Sequence, residues 1–221
     1  MPRVKICGIT RTEDIDLLDG RVDYLGFITG LRASPRVLEA GKAADLASTV
    51  SKSTPVMVAY GLEPDEVVEL AGRYGVFRVI QYHWFEKPSG LARLSAKLGE
   101  IGVRLAPVIY YGVGGWTPLH PLFYSRVSQV AEYTLLDAPK SSPARYDGGL
   151  RVPVEAVEEA ARLVTRLGVA GGITPENVCK VARLAWLVDV SSGVEEKPGV
   201  KDAAKVEKLL DNLGRCASRE A

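Results

Sequence analysis

The 221-residue chain has only three cysteines, Cys7, Cys179 and Cys216, an odd and widely spaced set with no C-x-x-C pair. Such a set argues against a disulfide framework and against a structural zinc site, and Cys179 and Cys216, each inside a helical pattern, read as core or surface filler. Histidine is as scarce: His83 and His120 are the only two, too few for a His-rich metal centre. An excess of one charge sign is missing too. With 28 Lys and Arg against 27 Asp and Glu the net charge is +1, so no global field favours nucleic acid or an anionic membrane, and any anion has to be held locally. No apolar run approaches the ~20 residues of a membrane span, and Met1-Pro2-Arg3-Val4-Lys5 enters a strand pattern with no apolar signal core. The expectation is a cytoplasmic protein with neither a nucleic-acid nor a membrane partner. Asn177, Asn212, Gln81 and Gln129 are the only side-chain amides, a scarcity that points to a thermophilic source.

What the chain does have is alternation. It is 47% hydrophobic and 25% charged, the composition of an ordinary globular protein. Short β-branched runs at 3–7, 24–28, 55–60, 77–83, 103–110, 133–137, 167–170 and 187–190 read as strands. Helical patterns follow at 12–18, 35–50, 64–74, 91–100, 118–132, 153–165, 175–185 and 203–213. Ser34-Pro35, Glu63-Pro64, Thr117-Pro118 and Thr174-Pro175 supply the Pro, and in three cases the Ser or Thr, of a helix start. The strands are near-continuous apolar runs, as a parallel sheet covered on both faces requires. Eight such units predict a closed (β/α)₈ barrel, one α/β domain over residues 1–221. The alternative is a doubly wound sheet, which is disfavoured because Cys7-Gly8-Ile9-Thr10 lacks G-x-G-x-x-G and no linker divides the chain.

In a barrel the chemistry lies at the C-terminal ends of the strands, and phosphate sits at the loops after the seventh and eighth. Ala170-Gly171-Gly172-Ile173-Thr174 follows the seventh predicted strand and Asp189-Val190-Ser191-Ser192-Gly193-Val194 spans the end of the eighth. Gly and Ser let an oxygen-rich ligand approach backbone amides, so Gly171, Gly172, Ser191, Ser192 and Gly193 are the candidate phosphate site. Either turn alone is explained as a tight turn; their convergence at one rim is not. Cys7 ends the first strand and Asp137 the sixth, three places round the ring, where a thiolate and a carboxylic acid make a base and an acid. A small buried hydrophobe is the other reading of Cys7. Arg36, at the predicted start of a helix whose dipole disfavours it, suits a substrate carboxylate or is a solvated surface residue. His83, with Gln81 closing the fourth strand, is a rim donor or a structural histidine.

Lys5-Ile6-Cys7-Gly8-Ile9, Ser34-Pro35-Arg36, Leu135-Leu136-Asp137, Ala170-Gly171-Gly172-Ile173-Thr174-Pro175-Glu176-Asn177-Val178 and Asp189-Val190-Ser191-Ser192-Gly193-Val194-Glu195, with Pro198-Gly199 and Lys201-Asp202, resemble the phosphoribosylanthranilate isomerase family of tryptophan biosynthesis from end to end. The resemblance implies an Amadori rearrangement of N-(5′-phosphoribosyl)anthranilate to 1-(o-carboxyphenylamino)-1-deoxyribulose 5-phosphate, with no cofactor and no metal. It implies Cys7 as general base, Asp137 as general acid, Arg36 on the anthranilate carboxylate, and the amides of Gly172, Ser192 and Gly193 on the phosphate. The partner is then a small phosphorylated substrate, and a homo-oligomer is left open. Three features depart from the family pattern. Leu150-Arg151-Val152-Pro153 follows Gly148-Gly149 where a Thr-Gly and an aromatic-Asp-Trp segment are usual, the loop between Asp137 and Gly148 carries Pro139, Pro143 and Arg145, and Trp84 follows His83 where Gly is usual. All three change the lining expected on the anthranilate side. Two other readings are a related phosphosugar barrel, which would want Lys and Glu or paired His and Asp at strand ends, and a barrel that binds a phosphorylated ligand without converting it. A facing thiol and carboxyl group argue against the last.

Overall fold

The first apolar run folds as strand β1 (Arg3–Cys7), with only Arg3 exposed. In the computed structural model, which describes residues 1–30, 34–83, 87–139, 141 and 144–218, β1 lies between β2 (Tyr24–Thr29) and β9 (Leu187–Val190), parallel to both. From β2 the sheet continues to β3 (Thr54–Tyr60), β4 (Val79–His83) and β5 (Arg104–Gly112). From β9 it continues to β8 (Leu167–Val169) and β7 (Thr134–Asp137), and β7 pairs with β5. Pairing of β4 with β5 closes the ring, so eight parallel strands form the barrel that the alternation predicts.

Helices α1 (Thr12–Leu18), α2 (Ala40–Ser48), α3 (Pro64–Tyr74), α4 (Pro88–Glu100), α5 (Ser125–Val130), α6 (Val154–Leu163) and α7 (Ala203–Ser218) lie between the strands in the chain and after the last. In α3 every terminal signal agrees. Pro64 stands in the first turn with Asp65 and Glu66, Arg73 in the last, and Gly75 caps the end at φ 64°, a left-handed conformation that glycine adopts without strain. Val4, Ile6, Leu25, Phe27, Ile80 and Leu105 point outward from the strands into the layer shared with Leu18, Leu94, Leu98 and Val157, all buried. Each fully buried side chain of this size contributes about 1.5–3 kcal/mol. The barrel interior is more polar: beside Val56, Val58, Val108 and Leu135 it holds Tyr24, Tyr110 and Tyr133, and Lys5, Gln81 and Asp189 are buried as well.

The structure corrects the sequence reading at five places. α2 begins at Ala40, not at residue 35: Val37 bridges to Ile28, the Leu38 N–H donates to the Ile28 carbonyl at 2.9 Å, and only then does Glu39 cap the helix by accepting from Gly41 N–H at 3.1 Å. Arg36 is therefore in a turn laid along β2 and meets no helix dipole. The helix expected at 118–132 is preceded by β6 (Gly115–Thr117), which folds back antiparallel on β5 through Gly112-Val113-Gly114-Gly115, and it shrinks to a 3₁₀ turn (Pro121–Tyr124) and α5. Pro118 follows a cis peptide bond rather than starting a helix. The helix expected at 175–185 is a run of turns around one 3₁₀ segment (Val178–Lys180), with Val181 and Leu184 N–H groups bonding three residues back. After the 3₁₀ turn Ser192–Val194, β10 (Glu195–Lys197) and β11 (Val200–Lys201) make a hairpin over residues to which the sequence reading gave neither strand nor helix.

The fifth correction concerns the cysteines read as filler. Cys179 in the 3₁₀ segment and Cys216 in α7 form a disulfide across 37 residues, leaving Cys7 as the free cysteine. Asn212 of α7 also donates to the Pro175 carbonyl at 2.8 Å, so the last helix holds the irregular segment at two points. A disulfide closing a loop of this length stabilises by about 3–4 kcal/mol, chiefly through the unfolded chain. Cys216→Ser should lower the thermal midpoint by about 6–16 °C, and reductant should lower that of the natural chain equally while leaving the variant's in place. A midpoint insensitive to both would mean that the hydrogen bonds alone hold the segment.

Candidate active site

The C-terminal ends of the strands open onto a cavity of about 240 Å³, lined among others by Cys7, Arg36, Tyr60, His83, Tyr110, Asp137, Gly171, Gly172, Ser191 and Ser192. Eight of the nine residues singled out in the sequence are thus brought together. Gly193 stands behind this wall: a Cβ there would overlap the Ile173 carbonyl oxygen, so the loop after β9 packs backbone to backbone against the loop after β8. Gly171 and Gly172 have φ of 90° and 77°, the left-handed region open to glycine. At Gly172 a Cβ would meet the Gly149 carbonyl oxygen at 2.5 Å. Asn177 fixes this corner. Its amide donates to the Gly172 and Gly148 carbonyls at 2.8 and 2.9 Å and its oxygen accepts from the Thr174 N–H at 2.8 Å.

Cys7 and Asp137 end strands that are three apart round the ring, through β9 and β8. Burial pushes the Cys7 thiol above its usual range, with Asp189 adding to the rise and Lys5 and Lys201 opposing it. Asp137 is part-buried at the rim and accepts from the Ala138 N–H at 2.7 Å. Desolvation pushes its pKa up to about 6, against the pull of that hydrogen bond and of Arg151 and Lys5. Its neighbour in register on β5 is Tyr110.

His83 lies within a chain of hydrogen bonds. Tyr133 O–H donates to Gln81 Oε1 at 2.9 Å, Gln81 Nε2 is 2.7 Å from His83 Nε2, and His83 Nδ1 is 2.8 Å from the Tyr110 hydroxyl. Because the Gln81 oxygen is an acceptor, its NH₂ donates to Nε2; His83 is assigned the neutral Nδ1–H tautomer, donating to Tyr110. Both ring nitrogens are engaged by protein groups, and Tyr60 stacks on the ring at 5.2 Å. His83 thus lines the cavity with both ring nitrogens already bonded within the protein.

Arg36 reaches the cavity with two nitrogens already paired. Nε lies 2.9 Å from Glu195 Oε1, and Nη2 bonds Oε2. Glu195 is buried, yet Arg36 and Lys201 hold its carboxyl below the usual range. Lys201 Nζ donates to Glu195 Oε1 at 2.8 Å and to the Cys7 carbonyl at 2.6 Å. The sequence reading passed over this network, and with it Tyr60, Tyr110, Arg151 and the ion pair between Lys5 and Asp189. Strand alternation carried one available signal, since Lys5 lies two residues before Cys7 and so on the same face. Trp84 lies outside the described residues, as do Lys140, Ser142 and Pro143 of the loop after β7.

Comparison with known proteins follows the same pattern. The family model for N-(5′-phosphoribosyl)anthranilate (PRA) isomerase matches residues 4–212. The N-(5′-phosphoribosyl)anthranilate isomerase of Pyrobaculum islandicum is 45% identical over 213 residues, covering 96% of this chain and 98% of that one. The crystal structure of phosphoribosyl anthranilate isomerase from Thermus thermophilus superposes with a TM-score of 0.75 at 29% identity over 96% of this chain and 98% of the other. A phosphoribosyl anthranilate isomerase in complex with reduced 1-(o-carboxyphenylamino)-1-deoxyribulose 5-phosphate does so at 0.72 and 25% identity, covering 97% and 100%.

The contact of Gly193 with Ile173 is open to a direct check. Gly193→Ala should destabilise by about 1–3 kcal/mol as the two loops are forced apart, whereas Gly114→Ala, where an added Cβ meets nothing within 4 Å, should stay within about 0.5 kcal/mol. Equal melting curves for the two variants would show that the loops do not press on one another.

Proposed function

The chain belongs to the N-(5′-phosphoribosyl)anthranilate isomerase family, and we propose that Cys7 is the general base and Asp137 the general acid of the rearrangement it catalyses. The reaction converts N-(5′-phosphoribosyl)anthranilate to 1-(o-carboxyphenylamino)-1-deoxyribulose 5-phosphate. Opening the ribose ring needs a proton on the ring oxygen, which Asp137 supplies; the anthranilate nitrogen's lone pair forms the C=N bond as the ring C–O bond breaks, leaving a protonated imine. The proton on the neighbouring sugar carbon, acidified by that imine, passes to the Cys7 thiolate, and the resulting enolamine tautomerises to the ketone. The observation that carries this reading is the presence of a thiol and a carboxyl group on one cavity, on strands three apart, while the histidine there has both nitrogens bonded and Arg36 is paired with Glu195.

The remaining contacts divide by chemistry. The amides of Gly172, Ser192 and Gly193 take the phosphate, with Gly171 and Ser191 shaping the turns that present them. Arg36 takes the anthranilate carboxylate through Nη1, the nitrogen that Glu195 leaves over. His83 acts through Tyr110, which it aligns beside Asp137. We read the barrel, residues 1–221, as one catalytic unit acting on a small phosphorylated molecule in the cytoplasm. In the described residues no helix is long and apolar enough to cross a membrane, and intracellular proteins of hyperthermophilic archaea are known to carry disulfides.

The protonation states set a constraint on the rate. Near neutral pH, a thiol held above its usual range and a carboxyl group near 6 make the abundant form Cys–SH with Asp–COO⁻. The working form, thiolate with carboxylic acid, holds the same number of protons and is the minor tautomer of this two-group site.

Two measurements test these roles. Cys7→Ala, Cys7→Ser and Asp137→Asn should each lower kcat by about 10²–10⁴-fold in an assay following loss of phosphoribosylanthranilate fluorescence; near-natural turnover in any of them removes that residue from the mechanism. In the natural enzyme kcat/KM should rise as pH increases through about 6, where the site drops from two protons to one. It should hold a plateau, then fall above the ordinary thiol range as the last proton leaves. An optimum centred below pH 6 would contradict the assignment.

A further inference from the structure

A buried thiol in apolar surroundings is an inert group, because desolvation disfavours its anion. A thiol that has to act as a base therefore needs a cation beside it. Three cations stand near Cys7. Lys201, from β11, bonds the Cys7 carbonyl and Glu195, and Arg36, from the turn after β2, is held by the same Glu195. Lys5 is the third, two residues earlier on β1 and on the same face of the strand.

The Lys5 side chain is fully buried, and its Nζ lies 2.8 Å from Asp189 Oδ2, directly across the register of β1 and β9. Gly26 of β2, in register with Cys7, leaves room for the sulfur and the ammonium together. A Cβ on that glycine would lie 3.0 Å from Cys7 Sγ and 3.0 Å from Lys5 Nζ. An ammonium has three N–H donors, so Lys5, with one of them on Asp189, keeps others for the Cys7 sulfur that shares the space over Gly26. Asp189 competes for the same cation. Its other oxygen, Oδ1, is buried with no hydrogen-bond partner in the described residues, and Asp189 lines the cavity. Tyr133, just before β7, is a further titratable group that feels the charge of Cys7, and burial raises its hydroxyl well above the usual range.

We propose that Lys5 is a positioning residue for the base, its ammonium divided between Asp189 and the Cys7 sulfur, and that this division sets the fraction of Cys7 present as thiolate. The inference rests on the reading of Cys7 as the base. It assigns opposite effects to the two members of one ion pair. Removing Lys5 takes away the cation; removing the charge of Asp189 gives the sulfur a larger share of it.

The test is the pH titration of Cys7 by its ultraviolet thiolate absorbance in the oxidised full-length protein, where it is the free cysteine, with Cys7→Ser protein as blank. Lys5→Met should move the thiolate midpoint up by about one pH unit or more, and Asp189→Asn should move it down by about half a unit or more. Lys5→Met/Asp189→Asn leaves neither charge buried alone, so it decides the matter if Lys5→Met does not fold; its midpoint should lie above that of Asp189→Asn by about one unit. Shifts in the same direction for both single variants, or no difference between Asp189→Asn and the double variant, would overturn the proposal and leave the pair a structural brace. The titration does not depend on turnover. If Cys7→Ala retained activity while these shifts appeared, the reading of Cys7 as base would fall and the coupling of Lys5 to the thiol would stand.

Discussion

The first and last strands of the barrel lie side by side, and at that seam Lys5 of β1 faces Asp189 of β9 inside the ring. The register of the whole site hangs on this alignment. A slip of one residue would turn Lys5, and with it Cys7, from the interior to the helix layer, because side chains alternate faces along a strand. Two buried charges are a costly way to pin a register: the pair itself is weak evidence of stability, while stranding either partner costs about 3–5 kcal/mol. An apolar pair at the same two positions would fill the space and brace the seam. What it would not provide is a positive charge next to the sulfur.

On the proposed roles of Cys7 and Asp137 that charge is needed, because one cavity then has to favour opposite states of two acids. Desolvation raises both. For Asp137 the rise is useful, since a carboxyl group near 6 is a competent proton donor close to neutrality. For Cys7 the same desolvation is adverse, and only asymmetry in the surrounding charges separates the two. The asymmetry is visible: Lys5 and Lys201 flank Cys7 closely, whereas Asp137 is bonded by the neutral Ala138 N–H, and the pull of Arg151 on it is weaker than that bond. Moving cations from the first strand to the seventh would strengthen neither group in its role.

Much of this was legible in the sequence, for definite reasons. All eight barrel strands were recognisable because a strand buried on both faces is an apolar run whatever surrounds it, and strand ends give rim positions, which is why Cys7, Asp137, Gly171, Gly172, Ser191 and Ser192 could be named. Proline was the main source of error. Ser34-Pro35, Thr117-Pro118 and Thr174-Pro175 carry the same local signal as Glu63-Pro64, but only the last starts a helix at that point, since a proline dipeptide suits an extended turn as well as a first helical turn. The pairing of Val37 with Ile28 that delays α2 is a tertiary contact with no local trace. The disulfide was hidden by an odd cysteine count and a sequence separation of 37. Lys5 and Asp189 were passed over because a lone charge in an apolar run gives no sign of its partner, and the chain from Tyr133 to Tyr110 requires knowing which strands are neighbours.

The loop after β7 separates what is constrained from what is open to change. Gly148 and Gly149 belong structurally to the corner proposed to take the phosphate, since the Gly148 carbonyl accepts from Asn177 and the Gly149 carbonyl abuts Gly172. Leu150 and Val152 are each 1% exposed and fill the core below. Arg151, between them, alternates to the other side, lines the cavity and donates to the Pro139 carbonyl. The four residues that depart from the family pattern here thus contribute one side chain to the cavity. On this side the cavity wall is therefore a guanidinium clamped over its own loop, whereas the wall built on Gly172 and Gly193 keeps a backbone that tolerates little change.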